Sequence, residues 1–115
     1  MWADVIKVEQ PGSGDEPRTW GPPFANGEAV YFFCVNRNKR SLTLNLKDPR
    51  GQAIFWALVR RSDVLLENFK PGTLAKLGLD YEALRSENPQ LIYCAISGFG
   101  RTGPYADRGG FDVIA

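Results

Sequence analysis

Apolar positions along the chain change their spacing several times, and each change marks an element. Residues 3–9 place Val5, Ile6 and Val8 in a β-branched run that reads as a strand. Residues 41–46 alternate Leu42, Leu44 and Leu46 with polar neighbours, the pattern of a half-buried strand. Asp48-Pro49 then opens a helix, with Asp at the N-cap and Pro at the first helical position, where no amide donor is needed. Its apolar side is expected to be Ile54, Ala57 and Leu58, widened by Phe55, Trp56 and Val59. It should end near Arg61, with Arg60 and Arg61 complementing its negative end. Val64-Leu65-Leu66 is a short unbroken apolar run between helical patterns, which predicts a strand buried on both faces of a parallel sheet. Residues 73–77 predict a short helix closed by Gly78, whose lack of a side chain permits a left-handed cap. Asp80 caps another helix to about Glu87, and Asn88-Pro89 stops it because a residue before proline disfavours helical angles. Residues 91–97 supply a further strand.

Two stretches are less decided by pattern. Residues 28–35 are aromatic and apolar, and their periodicity leaves helix and strand both open. Residues 11–27 form a long Pro- and Gly-rich connection carrying Arg18, Trp20 and Phe24. Such connections are commonly functional or disordered, and large aromatics among prolines favour one that packs. The order β, β, α, β, α, α, β implies right-handed crossovers and a mainly parallel sheet, an α/β fold. No internal repeat or domain linker stands out. Residues 111–115 are apolar and carry no cap or polar tail, so the domain is expected to continue past them, and the abrupt start invites the same expectation.

Composition narrows the function. At 115 residues the chain can form one modest domain, burying roughly two thirds of its unfolded surface. Charged residues make up 23% and apolar ones 43%, a globular balance. A net charge of +1 without a basic stripe argues against nucleic acid as partner. No apolar run approaches the roughly 20 residues of a membrane span, and no targeting signal is visible, so a cytoplasmic place (the mitochondrial matrix in a eukaryote) is expected. The two cysteines, Cys34 and Cys94, make neither a disulfide framework nor a metal site and are expected to be buried thiols. With no histidine, Ser-His-Asp and Cys-His machinery and the usual zinc sites are excluded within this chain. Any chemistry must rest on carboxylates, Lys, Tyr or main-chain groups.

The stretch with most chemical content is Glu67-Asn68-Phe69-Lys70-Pro71-Gly72. It follows the predicted strand at Val64, and ligands of open α/β sheets sit outside the carboxyl ends of strands. An acid, an amide, an aromatic ring and a cation thus arrive where a ligand is expected; an ordinary polar strand-to-helix loop explains the same residues. Asn36-Arg37-Asn38-Lys39-Arg40-Ser41 holds three cations, either a solvated turn or partners for phosphate. Residues 98–103 match G-x-G-x-x-G after a strand, but Gly109-Gly110 leaves room for no helix beyond a turn or two. A dinucleotide site is therefore not favoured, and the glycines are expected to let main chain approach a ligand closely.

Taken together, Ala3-Asp4-Val5-Ile6-Lys7-Val8-Glu9, Gly12-Ser13-Gly14-Asp15, the cationic loop, Glu67-Asn68-Phe69-Lys70-Pro71-Gly72 and Ile96-Ser97-Gly98-Phe99-Gly100 resemble successive motifs of the class III CoA-transferases. This is the group of formyl-CoA transferase, the carnitine CoA-transferases and α-methylacyl-CoA racemase. Arg18-Thr19-Trp20-Gly21-Pro22-Pro23-Phe24 is most similar to the succinyl-CoA-dependent dicarboxylate branch. The resemblance implies part of a Rossmann-like N-terminal CoA-binding domain, from a longer transferase working as an interlocked homodimer. It implies coenzyme A or acyl-CoA as substrate, a carboxylic acid as acceptor, and no covalently bound cofactor or metal. Leu44, Asn45, Leu46 and Lys47 would line the CoA groove, with Asn68, Phe69 and Lys70. Lys76 stands where relatives carry an arginine near the nucleotide phosphates, keeping the charge without the bidentate fork. Arg108, Gly109, Gly110 and Phe111 match a loop closing over CoA from the other side. Gln10 replaces a basic residue of some members, and Asp112 matches a family acid near the site. The nucleophilic aspartate of the family falls beyond Ala115 by motif order, so residues 1–115 alone are expected to show no transfer. A CoA-binding fragment without turnover, and a relative of the racemases, whose His and Asp lie outside this region, are the alternatives.

Overall fold

The computed structural model describes residues 3–110, which fall into two compact units divided between Gln52 and Ala53. In the first, β1 (Ile6–Glu9) leads into a 3-10 turn (Glu16–Thr19) and a small antiparallel hairpin, β2 (Phe24–Ala25) and β3 (Glu28–Ala29). Asn26 and Gly27 make its turn at φ of 50° and 83°, the left-handed angles that tight hairpins require. Helix α1 (Val30–Asn36) follows, and β4 (Arg40–Thr43) returns to pair in parallel with β1, Glu9 opposite Thr43. The stretch left undecided between helix and strand is thus both, with the change at Ala29. The Pro-rich connection is packed: Trp20 stacks on Tyr31 at 5.6 Å, and the Arg18 guanidinium lies 4.0 Å from the centre of the Phe32 ring. Ala29, Phe32 and Leu44 are the buried apolar residues of this unit.

Helix α2 (Pro49–Val59) starts where Asp48-Pro49 predicts. Its buried positions are Gly51, Phe55 and Val59, one every four residues, whereas Ile54 and Ala57 are exposed and Leu58 is half-buried. The expected apolar side is therefore corrected. A side chain at Gly51 would collide with the Asn45 carbonyl, so main chain approaches main chain there, on the face that also carries Phe55 and Val59. Beyond Val59 the chain tightens, with Arg61 N–H donating to Leu58 O at 3.0 Å, and Arg60 pairs with Glu87.

In the second unit β5 (Val64–Glu67) pairs in parallel with β6 (Ile92–Ala95), Val64 opposite Ile92 and Glu67 opposite Ala95. A 3-10 turn (Ala75–Leu77) ends in Gly78 at φ 70°, and α3 (Tyr81–Glu87) is capped by Asp80, which accepts from Ala83 N–H at 2.9 Å. Asn88 ends that helix and donates to Val59 O and Ser62 O. Phe55, Val59, Leu74, Leu79 and Leu84 are its buried apolar residues.

The mixed α/β order with parallel pairing is as expected, but burial differs in two respects. β5 is not covered on both faces: Val64 is 54% and Leu66 64% exposed, and its buried residue is the charged Glu67. Nor are the thiols buried, since Cys34 lies on α1, where only Phe32 is buried, and Cys94 lies on an exposed position of β6. In both cases the apolar type was right for a strand or helix, while the described residues supply no second layer over it.

Candidate functional site

Each parallel pair ends in a buried glutamate, and a cavity opens beside each. In the first unit Glu9 closes β1 with its side chain 1% exposed. Arg18 donates to it twice, at 2.8 and 2.9 Å, while Ser41 Oγ and Asp15 N–H donate at 2.7 and 3.0 Å. The Arg18 hydrogen bonds hold this carboxyl at a pKa of about 2 against the opposing effect of burial, with Ser41 helping. Glu9 in turn raises Arg18, which also pairs with Glu28 at 3.1 Å. Gly14 sits so close to Arg18 and Glu9 that a side chain would meet both. The cavity here, about 260 Å³, is lined by Gln10, Ser13, Gly14 and Thr43 besides the ion pair.

In the second unit Glu67 closes β5 with its side chain 6% exposed. Its Oε1 accepts from Tyr93 Oη at 2.7 Å and from Arg101 Nη2 at 3.1 Å, and its Oε2 from Phe69 N–H at 2.7 Å. Burial raises the Tyr93 phenol above its ordinary value; the hydrogen bond to Glu67 adds to this and Arg101 opposes it. The adjoining cleft, about 250 Å³, is lined by Phe69, Lys70, Tyr81, Tyr93 and Arg101 among others. Three rings flank the opening, and Lys70 and Arg101 stand there with the acids Glu67 and Asp80, Arg101 being paired with Glu67. The rings can take a flat apolar group and Lys70 an anionic neighbour. Gly98 and Gly110 meet main chain to main chain with no room for a side chain on either, and the Gly109 Cα is near the Lys70 stem, whose Cε lies 3.9 Å from where a Cβ would stand. Among the described residues no group of three or more His, Cys, Asp or Glu could hold a metal ion, and no helix is long and apolar enough to cross a membrane.

Comparison with known families matches residues 1–115, the whole chain, to CoA-transferase family III. The chain belongs to that family. It is 58% identical to Succinate--glutarate CoA-transferase of Agrobacterium fabrum, over 99% of this chain and 30% of the relative. It is 53% identical to Succinyl-CoA:glutarate CoA-transferase of Mus musculus, over 100% of this chain and 26% of the relative. Among solved structures, a CAIB/BAIF family protein from Brucella suis superposes with a TM-score of 0.89 at 55% identity, covering 96% of this chain and 30% of the other. The chain thus spans between a quarter and a third of the length of these relatives.

For a family III member, the residues singled out from sequence fall into two groups. Leu44, Asn45, Leu46 and Lys47 follow β4 in the first unit: Leu44 is buried, Asn45 accepts from Lys47 N–H at 3.0 Å, and Leu46 O accepts from Gln52 Nε2 at 2.8 Å. In the second unit Phe69 and Lys70 line the cleft, and Lys70 comes near Gly109. Asn68 is exposed between Glu67 and Phe69. Lys76 is exposed on its 3-10 turn beside Ala75, which lines the cleft. Arg108 lies over the Tyr105 ring at 4.2 Å. Phe111 and Asp112 fall outside the described residues. The cationic loop is engaged locally, with Arg40 pairing with Asp4 at 2.6 Å and Lys39 bonding Asn36. After Gly98 the described residues run through turns and bends, without the helix that a dinucleotide fingerprint opens at that point. What the sequence did not disclose is Arg18, Ser41, Tyr93 and Arg101 as partners of the two glutamates. The one visible signal was an acid closing each apolar strand.

Proposed function

We propose that this chain is the N-terminal CoA-binding part of a longer transferase that moves CoA between an acyl-CoA, such as succinyl-CoA, and a free carboxylic or dicarboxylic acid. The observation that carries this is the cleft at the carboxyl end of β5, where Phe69 and Lys70 stand beside Tyr81, Tyr93 and Arg101, in a chain whose relatives are named CoA-transferases. CoA presents an adenine, which favours flat apolar cover, and phosphates, which favour cations and main-chain N–H groups. Phe69 and the tyrosines offer the first, Lys70 and Lys76 the second, and Gly109 and Gly110 allow main chain to come close. Residues 44–47, in the first unit, are assigned to CoA by the family resemblance alone.

The chemistry would be covalent. An aspartate outside residues 1–115 attacks the thioester carbonyl, the CoA thiolate leaves, and a mixed anhydride forms. The thiolate then attacks the enzyme's own acyl group, releasing the donor acid and leaving an aspartyl-CoA thioester that the acceptor acid opens by the same two steps in reverse. Residues of this chain would bind and orient CoA in that sequence. A homodimer, and a cytoplasmic or mitochondrial-matrix setting, belong to the same proposal. The test is Lys76→Ala with calorimetric titration of CoA and dephospho-CoA. A contact to the 3′-phosphate predicts weakening of CoA by about tenfold and of dephospho-CoA far less. Equal losses would remove that contact, and absence of CoA binding by the unsubstituted chain would remove the function.

A further inference from the structure

The carboxyl ends of β1 and β5 carry one arrangement of side chains twice, although the two strands show no sequence repeat. In each a buried glutamate closes the strand and an arginine from a later turn bonds it: Arg18 for Glu9, Arg101 for Glu67. In each a hydroxyl from the parallel neighbour donates at 2.7 Å, Ser41 to Glu9 and Tyr93 to Glu67. The register is also the same, since Ser41 pairs with Lys7 and Tyr93 with Leu65, two positions before each glutamate. A main-chain N–H of the departing loop completes both sets, from Asp15 and from Phe69. Burying a carboxylate costs several kcal/mol unless it is fully paired, so two such sites are built features of the fold rather than accidents of packing.

We propose that Glu67 is a positioning residue: its carboxylate fixes the course of the Asn68, Phe69 and Lys70 segment and ties to it the glycine loop that carries Arg101, so that both segments present their groups to CoA together. This rests on the CoA-binding function proposed above. Glu67 accepts three hydrogen bonds, all from its own chain, out of about four that a carboxylate can take. It therefore has little capacity left for a substrate. Its two oxygens act on different segments. Oε2 holds the Phe69 N–H two residues on, and Oε1 holds Arg101, 34 positions away. Lys70, one step past Phe69, then stands near Gly109, and Gly110 closes on Gly98. A shift at Phe69 would be passed to both sides of the cleft.

Glu67→Gln keeps the shape and turns one acceptor oxygen into a donor. The remaining oxygen stays where Tyr93 and Arg101 both donate, which sets the amide –NH2 against the Phe69 N–H and breaks that bond. Amide hydrogen exchange by NMR and calorimetric titration with CoA read the result. Exchange of the Phe69 amide should rise about tenfold while amides of β5 paired to β6 keep their protection. CoA should bind the folded variant about five- to tenfold more weakly. Tyr93→Phe, which removes one donor and keeps the ring, should move both readouts the same way by less, and carries the comparison if Glu67→Gln does not fold. Leu84→Val, which weakens the same unit away from the cluster, should leave CoA affinity within about twofold. Unchanged Phe69 exchange in the glutamate and tyrosine variants overturns the tie. Faster exchange with unchanged CoA affinity overturns the positioning role, as does an equal affinity loss in Leu84→Val. If the unsubstituted chain binds no CoA, the proposed function falls, and Phe69 exchange still decides the tie by itself.

Discussion

Replacing Glu9 by glutamine should remove a large part of the chain's sensitivity to acid. The Glu9 carboxyl is lowered from 4.5 to about 2, chiefly by the Arg18 hydrogen bonds. A depressed carboxylate contributes stability that is fully present above its unfolded pKa and is lost as pH falls through the folded one. The window therefore runs from about pH 5, where the unfolded chain begins to take up the proton, to about pH 2. The depression corresponds to roughly 3 kcal/mol. Arg18 is 25% exposed at its side chain, so solvent screens part of the pair, and about 2–3 kcal/mol is the working figure. Urea unfolding of the chain and of Glu9→Gln, from pH 7 to pH 2.5, isolates this carboxyl because the other acids titrate alike in both. Glutamine lacks the charge that Arg18 and Asp15 N–H are arranged around, so the variant should be the weaker at neutral pH. The gap should close by about 2 kcal/mol or more towards pH 2.5. A difference that stays constant over that range would mean that the Glu9 proton is not linked to folding.

Two further predictions concern the elements that hold the site. Gly51→Ala should destabilise despite the roughly 1 kcal/mol that alanine gains over glycine in a helix, because the new Cβ meets the Asn45 carbonyl, a main-chain atom that cannot swing away. A net loss of about 1–2 kcal/mol in urea unfolding is expected, and a gain would mean the helix start is not pinned to residues 44–47. Asp80→Ala removes the cap of α3 and should cost about 1 kcal/mol, seen as a lowered urea midpoint with unchanged slope.

Local chemistry made much of the fold legible. Asp48-Pro49, Gly78 and Asp80 each do in the structure what their residue types dictate, because caps and turns act within four residues. Strands were placed to within a few residues for the same reason. Burial was harder to foresee. Val64 and Leu66 have strand-core chemistry, yet whether anything covers them depends on other elements, and none of the described ones does. The face of α2 turned on the close approach of Gly51 to Asn45, which no hydrophobic count registers. In the candidate site, Phe69 and Lys70 were visible as a polar strand end, whereas Tyr93 and Arg101 join Glu67 across 26 and 34 positions, beyond any local pattern. The small hairpin around Asn26-Gly27 carried a known turn signal, but two-residue strands are too short to show alternation.

In the proposed function, the segments that follow the parallel strands hold CoA. Hydrogen exchange of the 115-residue chain with and without saturating CoA decides whether they do. Protection should rise at residues 44–47, 68–70 and 108–110 and stay unchanged along α1. Binding with no protection at these three segments, or protection confined to other parts of the chain, would contradict it.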